Sequence, residues 1–140
     1  MAIVALVNRI AAVLELAVEH LYDNATFTQA EAKLLVPLRH LDEPVTAAYL
    51  AAQLGMSRAG VSKTLAKLEK RGFITRSAKP ADRRVALISM TPGATEAIDD
   101  LFPRELAAHA RLLAGLEGER DAVLTAMTRL TEAMELRLDR

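Results

Sequence analysis

Residues 50–74 read LAAQLGMSRAGVSKTLAKLEKRGFI, and this stretch decides the fold. Thr46 precedes it as the N-cap of a short helix, and Gly55 can adopt the positive φ that a tight turn requires. Ser57 is placed to cap the next helix, which extends to Arg71, because its hydroxyl can accept a free backbone N–H. The stretch therefore predicts two helices joined by a glycine-containing turn.

Two short β-prone runs follow this helix pair. Gly72 ends the second helix, and residues 73–76 and 85–90 are rich in β-branched and aliphatic side chains. A polar, proline-containing segment, residues 77–84, separates them, which predicts a β-hairpin with a long basic tip. Helix, turn, helix and basic hairpin occur in this order in a winged helix-turn-helix.

The second helix of the pair has one apolar face and one small or basic face. At 100° per residue, Val61, Leu65 and Leu68 share the face that we expect to be buried. The opposite face combines side chains small enough to approach base edges with donors for bases and phosphates. The candidate base-reading residues are Ser57, Arg58, Ala59, Ser62 and Lys63, and the candidate phosphate contacts are Lys67 and Lys70. The alternative is that Lys and Ala here only favour helicity and solubility.

The charge of the chain is concentrated in this region. Eighteen Lys and Arg balance eighteen Asp and Glu, so the formal net charge is zero. Residues 57–84 nevertheless carry nine basic and two acidic residues and so have a positive net charge. The rest of the chain carries a negative net charge of equal size, because the total is zero. The segregated charge favours a nucleic-acid surface over a uniformly solvated one.

The hairpin tip carries Asp82-Arg83-Arg84. An arginine inserted into a narrow minor groove gains from its enhanced negative potential, and Asp82 can hold one guanidinium in the inserting rotamer. We therefore expect Arg83 and Arg84 to contact DNA and Asp82 to orient them. The alternative is a surface ion pair of little energetic value.

The outer helices are predicted from apolar periodicity and capping signals. Residues 3–21 form a wide apolar stripe, and Thr28-Gln29-Ala30-Glu31 is a capping box that begins a helix ending near Leu41. Thr91-Pro92 begins a fifth helix, which Pro103 is expected to kink or split, and Glu117-Gly118 precedes a last helix striped with leucine and methionine. The first and last stripes exceed what a small core can cover, which predicts a two-fold homodimer.

From Phe27 to Thr91 the chain resembles the MarR family of winged-helix transcriptional regulators. The matching stretches are residues 50–57 leading into 61–63, residues 68–74, and a Pro-x-Asp-Arg-Arg wing, residues 80–84, followed by Met90-Thr91. Met90 and Gly93 depart from the usual pattern. The resemblance implies that Asp82 orients Arg84 into the minor groove and that Ser57, Ala59, Ser62 and Lys63 occupy recognition-helix positions.

The resemblance also implies a mainly α fold with a small β-hairpin, in which a winged helix-turn-helix core is flanked by dimerisation helices. The expected domains are an N-terminal dimerisation helix (1–26), a DNA-binding domain (27–91) and C-terminal dimerisation helices (92–140). The expected partners are double-stranded DNA, a second copy of the chain and a small aromatic or anionic effector. The resemblance implies repression more often than activation.

Four residues are candidate effector contacts in a crevice between the lobes: His20, Tyr22, Arg39 and His40. Basic residues near helix C-termini are also expected from the helix dipole alone. Glu105 and His109, four residues apart, could complete a metal site with His20 or His40, but without cysteine or a dense histidine cluster we expect no metal and no other cofactor.

Other functional classes have little support in the sequence. No phosphate-binding glycine loop, nucleophile elbow or His-Glu-x-x-His pair occurs, so we expect no catalytic residues. No apolar run is long enough for a membrane span, and the absence of cysteine is compatible with a cytoplasmic protein. The main alternative is a winged-helix protein-interaction module without specific DNA binding.

Overall fold

The computed structural model describes residues 1–139 and contains six α-helices and one two-stranded sheet in that range. Their order is α1 (Ala2–Val18), α2 (Gln29–Arg39), α3 (Ala47–Leu54), α4 (Arg58–Lys70), β1 (Ile74–Lys79), β2 (Asp82–Met90), α5 (Pro92–Leu113) and α6 (Arg120–Leu136). A 3₁₀ turn follows α1, and another links α5 to α6. The prediction of a mainly helical fold with a small hairpin is confirmed.

Side-chain caps begin four of these helices where the sequence predicted them. Thr28 Oγ1 accepts the Glu31 N–H at 3.1 Å, and the Glu31 carboxylate accepts the Thr28 N–H at 2.9 Å, which completes the capping box of α2. Thr46, Ser57 and Thr91 cap α3, α4 and α5 in the same way. Helix α2 ends at Arg39, slightly before the predicted end.

The core lies within the winged helix-turn-helix. Leu34, Leu50, Leu65, Leu68 and Ile88 are completely buried, and they bring α2, α3, α4 and β2 together. The first turns of α5 join the same core through Ala94, Ile98 and Leu101. The winged helix-turn-helix therefore packs directly onto the helix that follows it.

Two glycines have the positive φ that the turns around α4 require. Gly55 has φ +62° between α3 and α4, and Gly72 has φ +81° after α4. The Phe73 N–H then donates to the Leu68 carbonyl at 2.9 Å, which closes the end of α4 and directs the chain into β1.

The hairpin differs from its prediction. Its strands extend through most of residues 77–84, so the long tip is wrong, and the turn is only Pro80-Ala81. Ala78 pairs with Ala86 but Lys79 pairs with Asp82, which leaves residues 83–85 as a bulge with no opposite residue on β1. Val45 adds an antiparallel bridge to Ile88, which the sequence did not indicate.

Helix α5 continues through Pro103, so the predicted split does not occur. The proline removes one backbone hydrogen bond, and the helix persists because its neighbouring turns pack through Ile98, Leu101 and Ala108, which are buried. Among residues 1–139, no helix is long and apolar enough to cross a bilayer.

Candidate nucleic-acid interface

Helix α4 presents the two faces that the sequence predicted. Val61, Leu65 and Leu68 are fully buried. The predicted contact residues are all exposed: Ser57, Arg58, Ala59, Ser62, Lys63, Lys67 and Lys70. Ser57 also has a structural role, because its Oγ accepts the Gly60 N–H at 3.0 Å. Its hydroxyl hydrogen remains available as a donor.

The wing carries the most exposed ion pair of the site. Arg84 Nε lies 3.2 Å from Asp82 Oδ1, and the Arg84 side chain is 92% exposed. The same carboxylate oxygen accepts the Arg84 backbone N–H at 3.1 Å, so one oxygen fixes both the bulge and the guanidinium stem. The backbone N–H and then the side chain of Arg84 lower the pKa of Asp82.

The Asp82–Arg84 geometry refines the prediction of how the aspartate acts. The ion pair uses Nε, so both terminal nitrogens of the Arg84 guanidinium are left for an external acceptor. Arg83 is exposed beside it and lies in the same bulge. The bulge thus presents two adjacent arginines outside the strand ladder.

Thr91 attaches the hairpin to the end of α4. Its Oγ1 donates to the Gly72 carbonyl at 2.8 Å, and its N–H donates to the Phe73 carbonyl at 3.0 Å. Because Thr91 also caps α5, one residue connects β2, the end of α4 and the start of α5. Thr91 therefore fixes the position of the wing relative to α4.

Two arginines of the basic segment are engaged within the fold. Arg71 Nη1 donates to Glu31 Oε2 at 2.6 Å, and its other terminal nitrogen donates to the Thr26 carbonyl. Arg76 pairs with Glu69 at 3.2 Å. Charge counting along the sequence could not separate these structural arginines from the exposed ones.

Glu31, which receives Arg71, is the one buried charged residue in the described chain. Burial alone would raise its pKa, but the Thr28 N–H and the Arg71 guanidinium outweigh that effect and lower it. The guanidinium also lies 5.1 Å from the centre of the Phe73 ring, which packs edge-to-face on Phe27. This cluster joins the start of α2 to the end of α4.

The four predicted effector contacts do not share one crevice. Tyr22 lines a cavity of about 390 Å³ between α1, α2 and α5. Arg39 and His40 line a different depression near Phe102, and His20 lines neither. Arg39 makes two hydrogen bonds to Asp99, at 2.7 and 3.0 Å, which holds it on the other side of α2.

Glu105 and His109, which the sequence suggested only as candidate metal ligands, both line the Tyr22 cavity. The Tyr22 hydroxyl donates to Glu105 Oε1. Burial, together with the hydrogen bond and charge of Glu105, raises the pKa of Tyr22, so the phenol stays protonated. Within residues 1–139 no three His, Asp or Glu side chains are grouped for a metal ion.

Comparison with known proteins agrees with this geometry. Residues 27–86 match the model of the MarR family. That segment includes helices α2 to α4 and most of the hairpin, and over it the chain is similar to the MarR family. The HTH-type transcriptional regulator YwaE of Bacillus subtilis is 31% identical over 80 residues, covering 57% of this chain and 47% of YwaE. This chain therefore matches about half the length of that curated relative.

Solved structures of the family extend the similarity to the outer helices. A MarR-family regulator from Rhodococcus sp. RHA1 is 26% identical, with a TM-score of 0.76 over 95% of this chain and 91% of that one. CouR from Rhodococcus jostii RHA1, solved with p-coumaroyl-CoA, is 25% identical, with a TM-score of 0.79 over 96% and 92%. The winged-helix fold is confirmed, and these matches agree with the resemblance to MarR-family regulators that the sequence indicated.

Proposed function

We propose that this chain is a sequence-specific, double-stranded DNA-binding transcriptional regulator of the MarR family that binds a pseudo-palindromic operator as a homodimer. The single observation that carries the proposal is the pairing of an exposed, small-and-basic face on α4 with an exposed Arg84 that Asp82 orients. A hairpin serving only as a structural cover has no need for two arginines in a bulge.

Helix α4 is the proposed major-groove reader. Arg58 and Lys63 lie in its first two turns and can donate to guanine O6 and N7, while Ala59 is small enough to touch a thymine methyl. Ser57 and Ser62 can donate to bases or to the backbone. Lys67 and Lys70 lie further along the helix and are proposed to contact phosphates, which position the protein without reading sequence.

The wing is the proposed minor-groove reader. Arg84 enters the minor groove, and Arg83 beside it contacts the wall of the groove. In the free protein, Asp82 already restricts the conformation of the Arg84 side chain. Restricting an arginine in advance reduces the rotamer entropy that binding removes, which is on the order of 1 kcal/mol for a long side chain.

The outer helices are the proposed dimer interface. Helix α6 has no buried residue, and α1 has only Val18. Their exposed apolar side chains include Leu6, Ile10, Leu16, Leu124 and Met127. Apolar surface on this scale marks an interface, and a two-fold axis would set the two α4 helices about 34–36 Å apart, which is one turn of DNA.

A small-molecule effector is proposed to regulate this binding. The cavity beside Tyr22 lies between α1, which belongs to the proposed dimer lobe, and α2 of the winged helix. CouR, which has a similar fold, was solved with p-coumaroyl-CoA bound. We propose that the protein acts in the cytoplasm as a repressor and that the effector relieves repression.

Selection from a random duplex library tests the proposal. The purified protein is incubated with the library at physiological salt, and the retained DNA is sequenced. Enrichment of an inverted repeat with half-sites about one turn apart is expected. A sample carrying Arg84→Ala is the matched control, and it should retain less of the same repeat.

A protein-interaction module is the competing function, because a basic face can also bind an acidic partner. A DNA reader shows a steep dependence of log affinity on log salt and a large preference for one sequence. Weak, sequence-indifferent binding by a folded dimer would favour the interaction module instead.

A further inference from the structure

The cavity beside Tyr22 has an apolar wall with an acidic group on one side. Leu14, Val18, Ala32, Val36 and Pro37 supply most of the wall. A space of about 390 Å³ bounded by such side chains suits the body of one small aromatic molecule.

Among residues 1–139, the cavity wall has no Lys or Arg side chain that is free of an ion pair. Lys33 is the one lysine on the wall, and its Nζ lies 3.0 Å from Glu15 Oε1 in a pair exposed at the rim. Glu105 is half-buried, and its only described hydrogen bond comes from the neutral Tyr22 hydroxyl to Oε1. Glu105 Oε2 therefore remains an acceptor without a partner in the described chain.

Two further groups on the wall can accept hydrogen bonds. Pro37 lies inside α2 and has no N–H, so the Lys33 carbonyl four residues earlier lacks its helical donor. His109 follows Glu105 by one helical turn, and a neutral imidazole offers one acceptor nitrogen. These two groups add neutral acceptors to the carboxylate of Glu105.

We infer that this cavity binds an aromatic molecule carrying a cationic or N–H-donating group, with that group on Glu105, and that it discriminates against carboxylates. The inference specifies the chemical class of the effector. It rests on the part of the proposed function in which an effector regulates DNA binding. The sequence led us to expect an aromatic or anionic effector; the inference keeps the aromatic part and drops the anionic part, because Arg39, the one arginine among the predicted effector contacts, is paired with Asp99 outside the cavity.

The same cavity has a physical connection to the DNA-reading helix. Gln29 on its wall is the first residue of α2, and Glu31 two residues later holds Arg71 at the end of α4. A ligand that displaces the start of α2 therefore acts on the residue that anchors α4. This gives the bound molecule a route to alter DNA affinity.

Three naphthalene probes of one size test the charge preference directly. Naphthalen-2-ylmethylammonium, naphthalen-2-ylmethanol and 2-naphthoate are titrated into the wild-type protein without DNA, and binding is followed by isothermal titration calorimetry. The cation is expected to bind at least about tenfold more tightly than the carboxylate, as for one partly buried charge pair, with the alcohol between them. Equal or tighter binding of 2-naphthoate overturns the inference, as does the absence of binding by all three probes.

Glu105→Gln and Glu96→Gln separate the cavity from the rest of helix α5. Both remove one negative charge from the same helix, but Glu96 is exposed and does not line the cavity. Glu105→Gln is expected to abolish the preference for the cation while its amide oxygen still accepts the Tyr22 hydroxyl. Glu96→Gln should keep the preference, and a preference that survives Glu105→Gln overturns the assignment of Glu105.

The regulatory part is measured separately with the selected operator duplex. Saturating cation is expected to lower operator affinity by about tenfold, within the usual range of allosteric coupling. If the cation binds through Glu105 but operator affinity stays constant, the ligand site stands and its regulatory role is refuted. If no sequence is ever selected, the proposed function fails while the calorimetric result still decides the ligand chemistry.

Discussion

Replacement of Arg71 by methionine should destabilise the protein without removing a DNA contact. Its guanidinium holds the buried carboxylate of Glu31 and the Thr26 carbonyl, while its stem lies by Phe73. Removing one partner of a fully buried ion pair costs about 3–5 kcal/mol. The Arg71 side chain is 42% exposed and Glu31 keeps the Thr28 N–H, so solvent screening reduces the expected loss to about 1–2 kcal/mol.

Urea unfolding followed by far-ultraviolet circular dichroism measures this loss, at one fixed protein concentration because the proposed dimer makes stability concentration-dependent. Arg76→Met is the matched control: its pair with Glu69 is partly exposed on both sides, so the loss should stay below about 0.5 kcal/mol. Glu31→Gln in the Arg71→Met background should recover part of the stability, since the amide still caps α2 and carries no buried charge. Equal losses in the two single variants would refute the reasoning.

The pH dependence gives the Arg71–Glu31 prediction a second test. The folded pKa of Glu31 lies below the ordinary glutamate value of 4.5, so its stabilising contribution is present above about pH 4.5. That contribution is lost as the pH falls through the folded pKa. The difference between wild type and Arg71→Met should therefore be largest near neutrality and shrink below about pH 4, and a difference that grows on acidification would contradict it.

Four further substitutions test the proposed interfaces. Arg84→Ala should weaken operator binding by about 1–3 kcal/mol in fluorescence anisotropy while the dimer stays folded, and unchanged affinity would reject the wing assignment. Lys63→Ala should relax base preference at one position per half-site, whereas Lys70→Ala should weaken all sequences alike and reduce the salt slope by about one; the reverse pattern would exchange their roles. Met127→Asp should shift the sedimentation coefficient to that of a monomer, and a surviving dimer would place the interface elsewhere.

The sequence predicts the helices well because their signals are local. Thr28, Ser57 and Thr91 cap the helices that follow them, and the buried face of α4 follows from its periodicity. The hairpin was harder, since cross-strand pairing extends β structure into the polar residues 77–84 and the bulge depends on the register between the two strands.

Features that depend on contacts between distant residues could not be predicted from the sequence. Arg71 looks like any other residue of the basic segment until the fold brings it to Glu31, forty positions away. Tyr22 and Glu105, eighty-three positions apart, meet in one cavity for the same reason. Arg39 was grouped with Tyr22 because the two residues lie at the ends of the first and second helices, but in the structure Arg39 pairs with Asp99 of α5.

The bulge at residues 83–85 lies outside the paired positions of the two strands. Pro80-Ala81 closes the turn and Thr91 fastens the other end of the hairpin, while the Asp82 carboxylate, and not a strand partner, holds Arg84 within the bulge. A substitution of Arg83 or Arg84 therefore removes no pairing between the strands. The arginines of the wing can thus vary with little effect on the position of α4, so the proposed DNA contacts of the wing and of α4 can change independently.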